Sequence, residues 1–487
     1  MFVFEQKTED SKPCVPAGLS AEELSRIRGN IPGELFSLAE LFAAQGVSLY
    51  AVGGLVRNSL LSLPVSDIDI CSSMLPAKVI ELTRKRGYTV VPKGIDFGMV
   101  EIHIGAYRFE HTTFRSDSYG EGGGHRPSGV RFSSTPEEDA FRRDFTVNAL
   151  YYDILGGTVI DPTGGLADLE AKLIRTTSKD PAAVLSDDGL RLMRLVRFAA
   201  ELGFDVEENT LAAAKKLVGN LRDISPERIR DELDKILLAD VKYGEASPER
   251  VFFGLDLLNE IGAIDVILPE LALGRGIRQK PNYHRYDVLE HCLRTASEAK
   301  PTVAARLSGL LHDVGKPTVK LATGRMHGHD TEGAEIAREI LHRLHYDNRT
   351  IDSVVFTVRH HMYDLNNTAK ECTLRRTFVR WGYERSLDIC DIRTADVHGS
   401  GIISGRVASA ERWRKVLAAM KAESVPFTEK ELRCSGFDII RWLDIPPGPQ
   451  VADIKRRLVA HCAVHPADNE PEKLKKIAAD IYVNGGE

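Results

Sequence analysis

The 487 residues contain no apolar run near the ~20 residues that a membrane-crossing helix needs, so a spanning protein is not expected. The opening MFVFEQKTEDSKP turns acidic at once and lacks a basic leader, so no secretory signal is expected either. Cysteine is sparse. Seven are scattered (Cys14, Cys71, Cys292, Cys372, Cys390, Cys434, Cys462), odd in number and without a C-x-x-C. This argues against a disulfide framework or a cysteine zinc site and fits a reducing cytoplasm. A basic excess is also missing. The net charge is −6, so only a local basic groove, not the chain as a whole, is left to hold nucleic acid. What is present is a globular balance, 43% hydrophobic and 28% charged residues, on a chain long enough for several domains.

The patterning divides the chain. Residues 1–30 read as a polar N-terminal extension. Residues 31–155 mix α and β: VSLYAV, DIDIC, YTVVP, GMVEIHI and YRFEHTTF read as strands, and Gly53-Gly54 opens a helix. The glycine-rich 116–129 is expected to be irregular, and LYYDILGGTVID to be a hairpin around Gly156-Gly157. Residues 156–245 read as a neck, 246–400 as a helical body and 401–487 as a helical tail. Asp180-Pro181, Ser225-Pro226 and Ser247-Pro248 mark helix starts, and Gly203 closes a helix over about 187–202. The fold class is therefore α+β: a mixed-sheet head, then an all-α remainder.

The head carries the first chemistry. Asp67 and Asp69 lie two apart, which on a strand puts both carboxylates on one face. Such a pair of hard oxygen donors suits Mg²⁺ together with substrate phosphates. Ten residues before Asp67, Arg57 sits in GGLVRN, where Gly53 and Gly54 permit close backbone approach to phosphate. In RRDFTVNAL, Arg143 can hold a triphosphate, while Asp144 and Asn148 can bond a ribose hydroxyl. Asp144 reads equally well as a helix cap. Glu101 and Glu110 lie on nearby strands, with no obvious third metal carboxylate among them.

The neck helix DDGLRLMRLVRFAAELGF sets Asp188, Arg191, Arg194 and Arg197 opposite Leu192, Val196, Ala199 and Ala200 at about 100° per residue. A carboxylate and a guanidinium three apart can read a base edge, or can simply form a weak surface ion pair. Basic clusters at RGIRQK (275–280), IKRRL (454–458) and EKLKK (472–476) read singly as solvated faces and together as a phosphate track.

GGLVR followed by DID resembles the nucleotidyltransferase signature of the polymerase-β superfamily. RRDFTVNALYYD, DPTGGLADLE and D-D-x-x-R with its trailing arginines resemble the class II tRNA nucleotidyltransferase and bacterial poly(A) polymerase family. The tail GFDIIRWLDIPPGPQVADIKRRL resembles that family's tail. The resemblance implies a polymerase-β-like head and template-independent addition of CCA to the tRNA acceptor end from CTP and ATP, by nucleotidyl transfer assisted by two metal ions at Asp67 and Asp69. It implies that Asp188 and Arg191 pair with the incoming base and that Arg194 and Arg197 support phosphate or template geometry. Two positions depart from the family: Asp187 stands for its usual Glu, and Asn58 for its usual Asp.

In the body, LLHDVGKP brings His312 and Asp313 together. His291, His329, His360, His361 and Asp396 lie around them in sequence. This order resembles the HD superfamily of metal-dependent phosphohydrolases. The resemblance implies a divalent site of Mn²⁺, Ni²⁺, Fe²⁺ or Mg²⁺ type at His291, His312, Asp313 and Asp396, with His329 and His360 or His361 for a second metal. Its expected chemistry is hydrolysis of phosphodiesters at RNA ends. The alternatives are a poly(A) polymerase or a partial CC- or A-adding enzyme, an HD phosphohydrolase with a nucleotide-sensing head, and a non-catalytic RNA-binding protein. The sequence leaves the oligomeric state unknown.

Overall fold

The computed structural model describes residues 18–118, 129–244 and 247–483. The chain forms two compact units, Met1–Ile224 and Ser225–Glu487. In the first, nine strands carry the argument: β1 Tyr50–Val52, β2 Asp69–Ser72, β3 Thr89–Gly94, β4 Met99–Ile104, β5 Tyr107–Thr113, β6 Arg115–Ser118, β7 Gly129–Phe132, β8 Tyr151–Asp153 and β9 Val159–Ile160. Seven of them make one sheet in the order β3-β4-β5-β2-β1-β8-β9. Its pairs are antiparallel except β2 with β5, which run parallel. Alternation in MVEIHI sends Val100, Ile102 and Ile104 inward, as a half-buried strand requires. The helix Gly33–Ala43 covers part of this core with Leu35, Leu38, Ala39 and Phe42.

The structure corrects four expectations in this unit. The polar lead-in holds a helix, Ala21–Gly29, started by a reciprocal Ser20–Glu23 capping box. The expected irregular segment 116–129 has strand ends, because β6 and β7 pair as a hairpin; residues 119–128 lie outside the described ones. The strand expected over 67–71 begins at Asp69, and Asp67 lies two residues ahead of it. Finally, the helix expected over 187–202 is broken. One helix, Pro181–Asp187, capped by Asp180, ends where Asp188 turns extended, and a second, Leu190–Leu202, runs to Gly203 at φ +67°. Gly189 allows the joint, since a Cβ there would sit 2.8 Å from the Asn220 carbonyl.

In the second unit every regular element among the described residues is helical. One hydrophobic cluster gathers Leu374, Phe378, Trp413, Leu417, Leu458 and Leu474. A second anchor is ionic. Arg306, on helix Val303–Leu311, donates to both Asp240 oxygens at 2.7 and 2.6 Å, and both side chains are 2% exposed. Removing one partner strands a buried charge, so Asp240→Ala is expected to destabilise this unit by roughly 3–5 kcal/mol in urea melts. The double change Asp240→Leu with Arg306→Met should recover most of that loss.

Candidate active site and metal centre

Strand register builds the head site. Val52 of β1 pairs with Asp69 on one side and with Tyr151 on the other, and Asp69 faces Glu110 across the parallel pair. Gly53 turns the chain at φ +70°, against Asp69: a Cβ there would lie 3.9 Å from the Asp69 carboxylate. That φ favours glycine. The Asp69 pKa is raised by desolvation and by Asp67, against the pull of Arg143, Arg194 and Arg57. Glu110 is raised in the same way, by desolvation and by Asp69, Glu101 and Asp67. These carboxylates are crowded hard-oxygen donors whose repulsion a divalent cation would relieve, so the residues fit one.

Behind them runs a hydrogen-bonded chain of polar side chains. Asn58 accepts from Arg57 at 3.1 and 3.0 Å and donates to the Pro64 carbonyl at 2.9 Å. Arg57 donates to Asn148, Asn148 to Asp144 at 3.2 Å, and Arg194 to Asp144 at 2.7 Å. Burial opposes the Asp144 charge, but Arg194 and Arg191 hold its pKa down to about 2. Asp144 accepts from the adjoining Phe145 N–H and from Asn148, and it does not cap the short 3₁₀ turn Thr146–Asn148.

Arg191 is buried. It donates to the Val184 carbonyl at 2.7 Å, to Asp187 at 3.2 Å and to the Arg142 carbonyl at 2.6 Å. Asp187, despite its shorter side chain, thus reaches Arg191. Asp188 takes the Leu190 N–H at 3.0 Å from its place in the joint. The side-by-side helical pair expected for Asp188 and Arg191 is therefore not what the fold builds. Arg197 faces Glu201 at 3.6 Å.

The second centre lies in the second unit. His291 comes from helix Val288–Glu298, and His312 and Asp313 from the end of Val303–Leu311. His329 opens His329–Arg343, His361 closes Asn348–His360, and Asp396 belongs to Tyr383–Gly399. The Asp313 carboxylate divides its oxygens. One lies 3.2 Å from His312 Nε2 and 3.5 Å from His291 Nε2; the other lies 3.1 Å from His329 Nε2 and 3.6 Å from His361 Nε2. Asp396 lies 3.1 Å from His291.

His312, His329 and His361 each turn Nδ1 to a carbonyl three residues upstream, at 2.8, 2.7 and 2.6 Å. A carbonyl only accepts, so Nδ1 carries a proton and Nε2 is the nitrogen that turns inward. The Nε2 atoms of His329 and His361 face each other at 3.2 Å. A cation between them satisfies both, and this donor set fits a divalent metal. His360 lies outside the cluster; its ring packs on Trp381 and Phe356.

Three family models match: the poly A polymerase head domain over 49–175, the probable RNA and SrmB-binding site of polymerase A over 203–273, and the HD domain over 283–397. An A-adding tRNA nucleotidyltransferase of Deinococcus radiodurans is 34% identical over 341 residues, covering 66% of this chain and 74% of that protein. The chain belongs to the tRNA nucleotidyltransferase and poly(A) polymerase family. A CCA-adding enzyme of Limosilactobacillus fermentum is 42% identical over 193 residues, but there the match spans only 40% of this chain and 46% of that protein. The solved CCA-adding enzyme of Bacillus stearothermophilus, in complex with CTP, superposes at a TM-score of 0.69 with 26% identity, covering 93% of this chain and 97% of that one.

For this family member, nucleotidyltransferase and HD domains together imply divalent metal use. No described helix is long and apolar enough to cross a membrane.

Several residues at the two centres escaped the sequence reading. Asp139, fully buried, accepts from Arg142 at 2.7 Å, Arg143 at 3.1 Å and Tyr151 at 2.8 Å. It precedes the two arginines by three and four residues, a spacing that would have pointed to it. Lys316 donates to Asp313 and to Gln279. The expected phosphate track is largely self-paired, with Arg275 on Asp265, Arg456 and Arg457 on Asp453, and Lys473 on Asp468.

Titrating Mn²⁺ or Ni²⁺ should raise the thermal unfolding midpoint, with ~2.7 kcal/mol of added stability at a hundred times the dissociation constant. His361→Ala should diminish that shift, leaving the part that comes from the ion at His291, His312 and Asp313, and His360→Ala should keep it whole. Because the Asp144 pKa is lowered, its stabilisation is present above the unfolded carboxylate range, ~3.9, and fades as pH falls toward 2. Asp144→Asn should therefore cost roughly 2 kcal/mol at pH 7, and urea melts should show the gap closing as pH drops below 4.

Proposed function

We propose that this chain adds CCA to tRNA 3′ ends from CTP and ATP, using Mg²⁺ at Asp67 and Asp69. The observation that carries this reading is the polar chain from Asn58 through Arg57, Asn148 and Asp144 to Arg194, set beside Asp69. The RNA 3′-oxygen bonds to the α-phosphorus, and pyrophosphate leaves. Asp67 and Asp69 would hold the divalent cation, which when bound would acidify that hydroxyl and neutralise charge on the phosphates. Arg57, Arg143, Arg194 and Arg197 hold the triphosphate, each oriented by a protein acceptor before substrate arrives, so little ordering remains to be done on binding. Asp144 and Asn148 set the ribose. Asp188 and Arg191 select C or A; three oxygen acceptors fix the orientation of Arg191, and base choice therefore comes from a rigid guanidinium. The similarity to the A-adding enzyme of Deinococcus radiodurans makes partial addition the nearest alternative for this chain.

We further infer a phosphohydrolase activity on RNA phosphodiester ends at the HD centre, with Mn²⁺, Ni²⁺, Fe²⁺ or Mg²⁺ held by His291, His312, Asp313 and Asp396 and a second ion by His329 and His361. The facing Nε2 atoms of His329 and His361 support it. A cytoplasmic location accords with tRNA as substrate.

Incubating tRNA that lacks its 3′ end with CTP and ATP, then sequencing the product, should show CCA. A single A, CC alone or a long A tail would replace the proposal by the corresponding alternative. Asp69→Asn should lower addition roughly 10²–10³-fold, in keeping with loss of a transition-state interaction, and should leave phosphodiester hydrolysis unchanged. Addition that survives the change would remove Asp69 from the chemistry.

A further inference from the structure

Three arginines of the head, Arg57, Arg194 and Arg197, converge on one benzene ring. Their guanidinium carbons lie 5.1, 5.2 and 4.0 Å from the centroid of Phe198. The ring is 6% exposed and is braced edge-on by Phe145 at 5.9 Å. Arg57 comes from helix Gly54–Leu60, whereas Arg194, Arg197 and Phe198 come from Leu190–Leu202, so the ring joins two separate segments.

Three like charges within about five ångströms of one point repel one another strongly in a partly buried setting. Asp144 and Glu201 face two of them. A further carboxylate at position 198 would lessen the repulsion but would also take N–H donors and cancel the positive field that phosphate needs. An aliphatic side chain would fill the space and leave the repulsion in place. A benzene ring does neither: its negative faces attract cations while it carries no net charge and accepts no strong hydrogen bond.

We propose that Phe198 is a positioning residue for nucleotide phosphates, holding Arg57, Arg194 and Arg197 together through its π-face while leaving their charge to the substrate. This rests on the reading of those arginines as the triphosphate site. Phe198 acts through the arginines and bonds to no reacting atom.

The test replaces Phe198 in the full-length protein with phenylalanines bearing one, two and three ring fluorines. Fluorination nearly preserves the ring's shape and progressively removes its negative face. Dissociation constants for CTP and for inorganic tripolyphosphate are measured by calorimetry in EDTA, alongside KM, kcat and the melting temperature. Both dissociation constants and KM for CTP should rise stepwise, to roughly tenfold with three fluorines. kcat should change less than twofold, and the melting temperature should hold. Phe198→Leu should show a similar rise; should it fail to fold, the fluorinated series still decides. Affinities that stay level across the series would overturn the proposal, as would losses that follow the melting temperature. If the parent protein binds neither probe, the triphosphate site itself falls, and the inference with it.

Discussion

The structure of the head depends on a linked set of polar and charged side chains, most of them buried, that is tolerable only when complete. Asn58, Arg57, Asn148, Asp144 and Arg194 are linked in succession, and each link supplies a donor or acceptor that the next cannot find in water. In a low-dielectric interior such a network is strong when every member is satisfied and costly when one is missing. It brings the turn after β1, the 3₁₀ turn before β8 and the helix Leu190–Leu202 to one place. Asp69 lies beside it at the start of β2, where three arginines offset the cost of crowding it with Asp67 and Glu110.

The second centre is organised by the same logic with different atoms. Asp313 offers one oxygen to each pair of histidines, and backbone carbonyls fix three of the imidazoles so that their Nε2 atoms point inward. Close helix packing makes this possible. A Cβ on Gly315 would collide with the His329 carbonyl and approach the Gly333 nitrogen to 2.6 Å. Glycine in the H-D-V-G run thus lets the segment bearing Asp313 meet the one bearing His329. The two centres share a design in which orientation is set by protein acceptors before any ligand arrives.

Much of the fold was legible because its signals are local. The alternation of MVEIHI, the Asp180-Pro181 start and the Gly203 stop each depend on neighbours a few residues away, and all appear where expected. An amphipathic pattern continued through Asp187, Asp188 and Gly189, yet the chain breaks there because Gly189 packs against the Asn220 carbonyl, a partner some thirty residues distant. Asp139 is a different case: in EED it looks solvated, yet Arg142 and Arg143 lie within about one helical turn of it, and Tyr151 completes its burial.

What the amino-acid order by itself determined is the chemical inventory and its short-range spacing: paired aspartates after a glycine turn, arginines at helical intervals, and a histidine–aspartate doublet among further histidines. What only the tertiary structure decided is which of these meet. It set Asp69 opposite Glu110, took His361 and left His360, buried Arg191 against backbone carbonyls, and gathered three arginines around Phe198. The reason is physical. Helical and strand periods relate residues two to four apart, whereas strand register, helix packing and burial are settled by contacts between segments far apart in the chain, which no local period encodes.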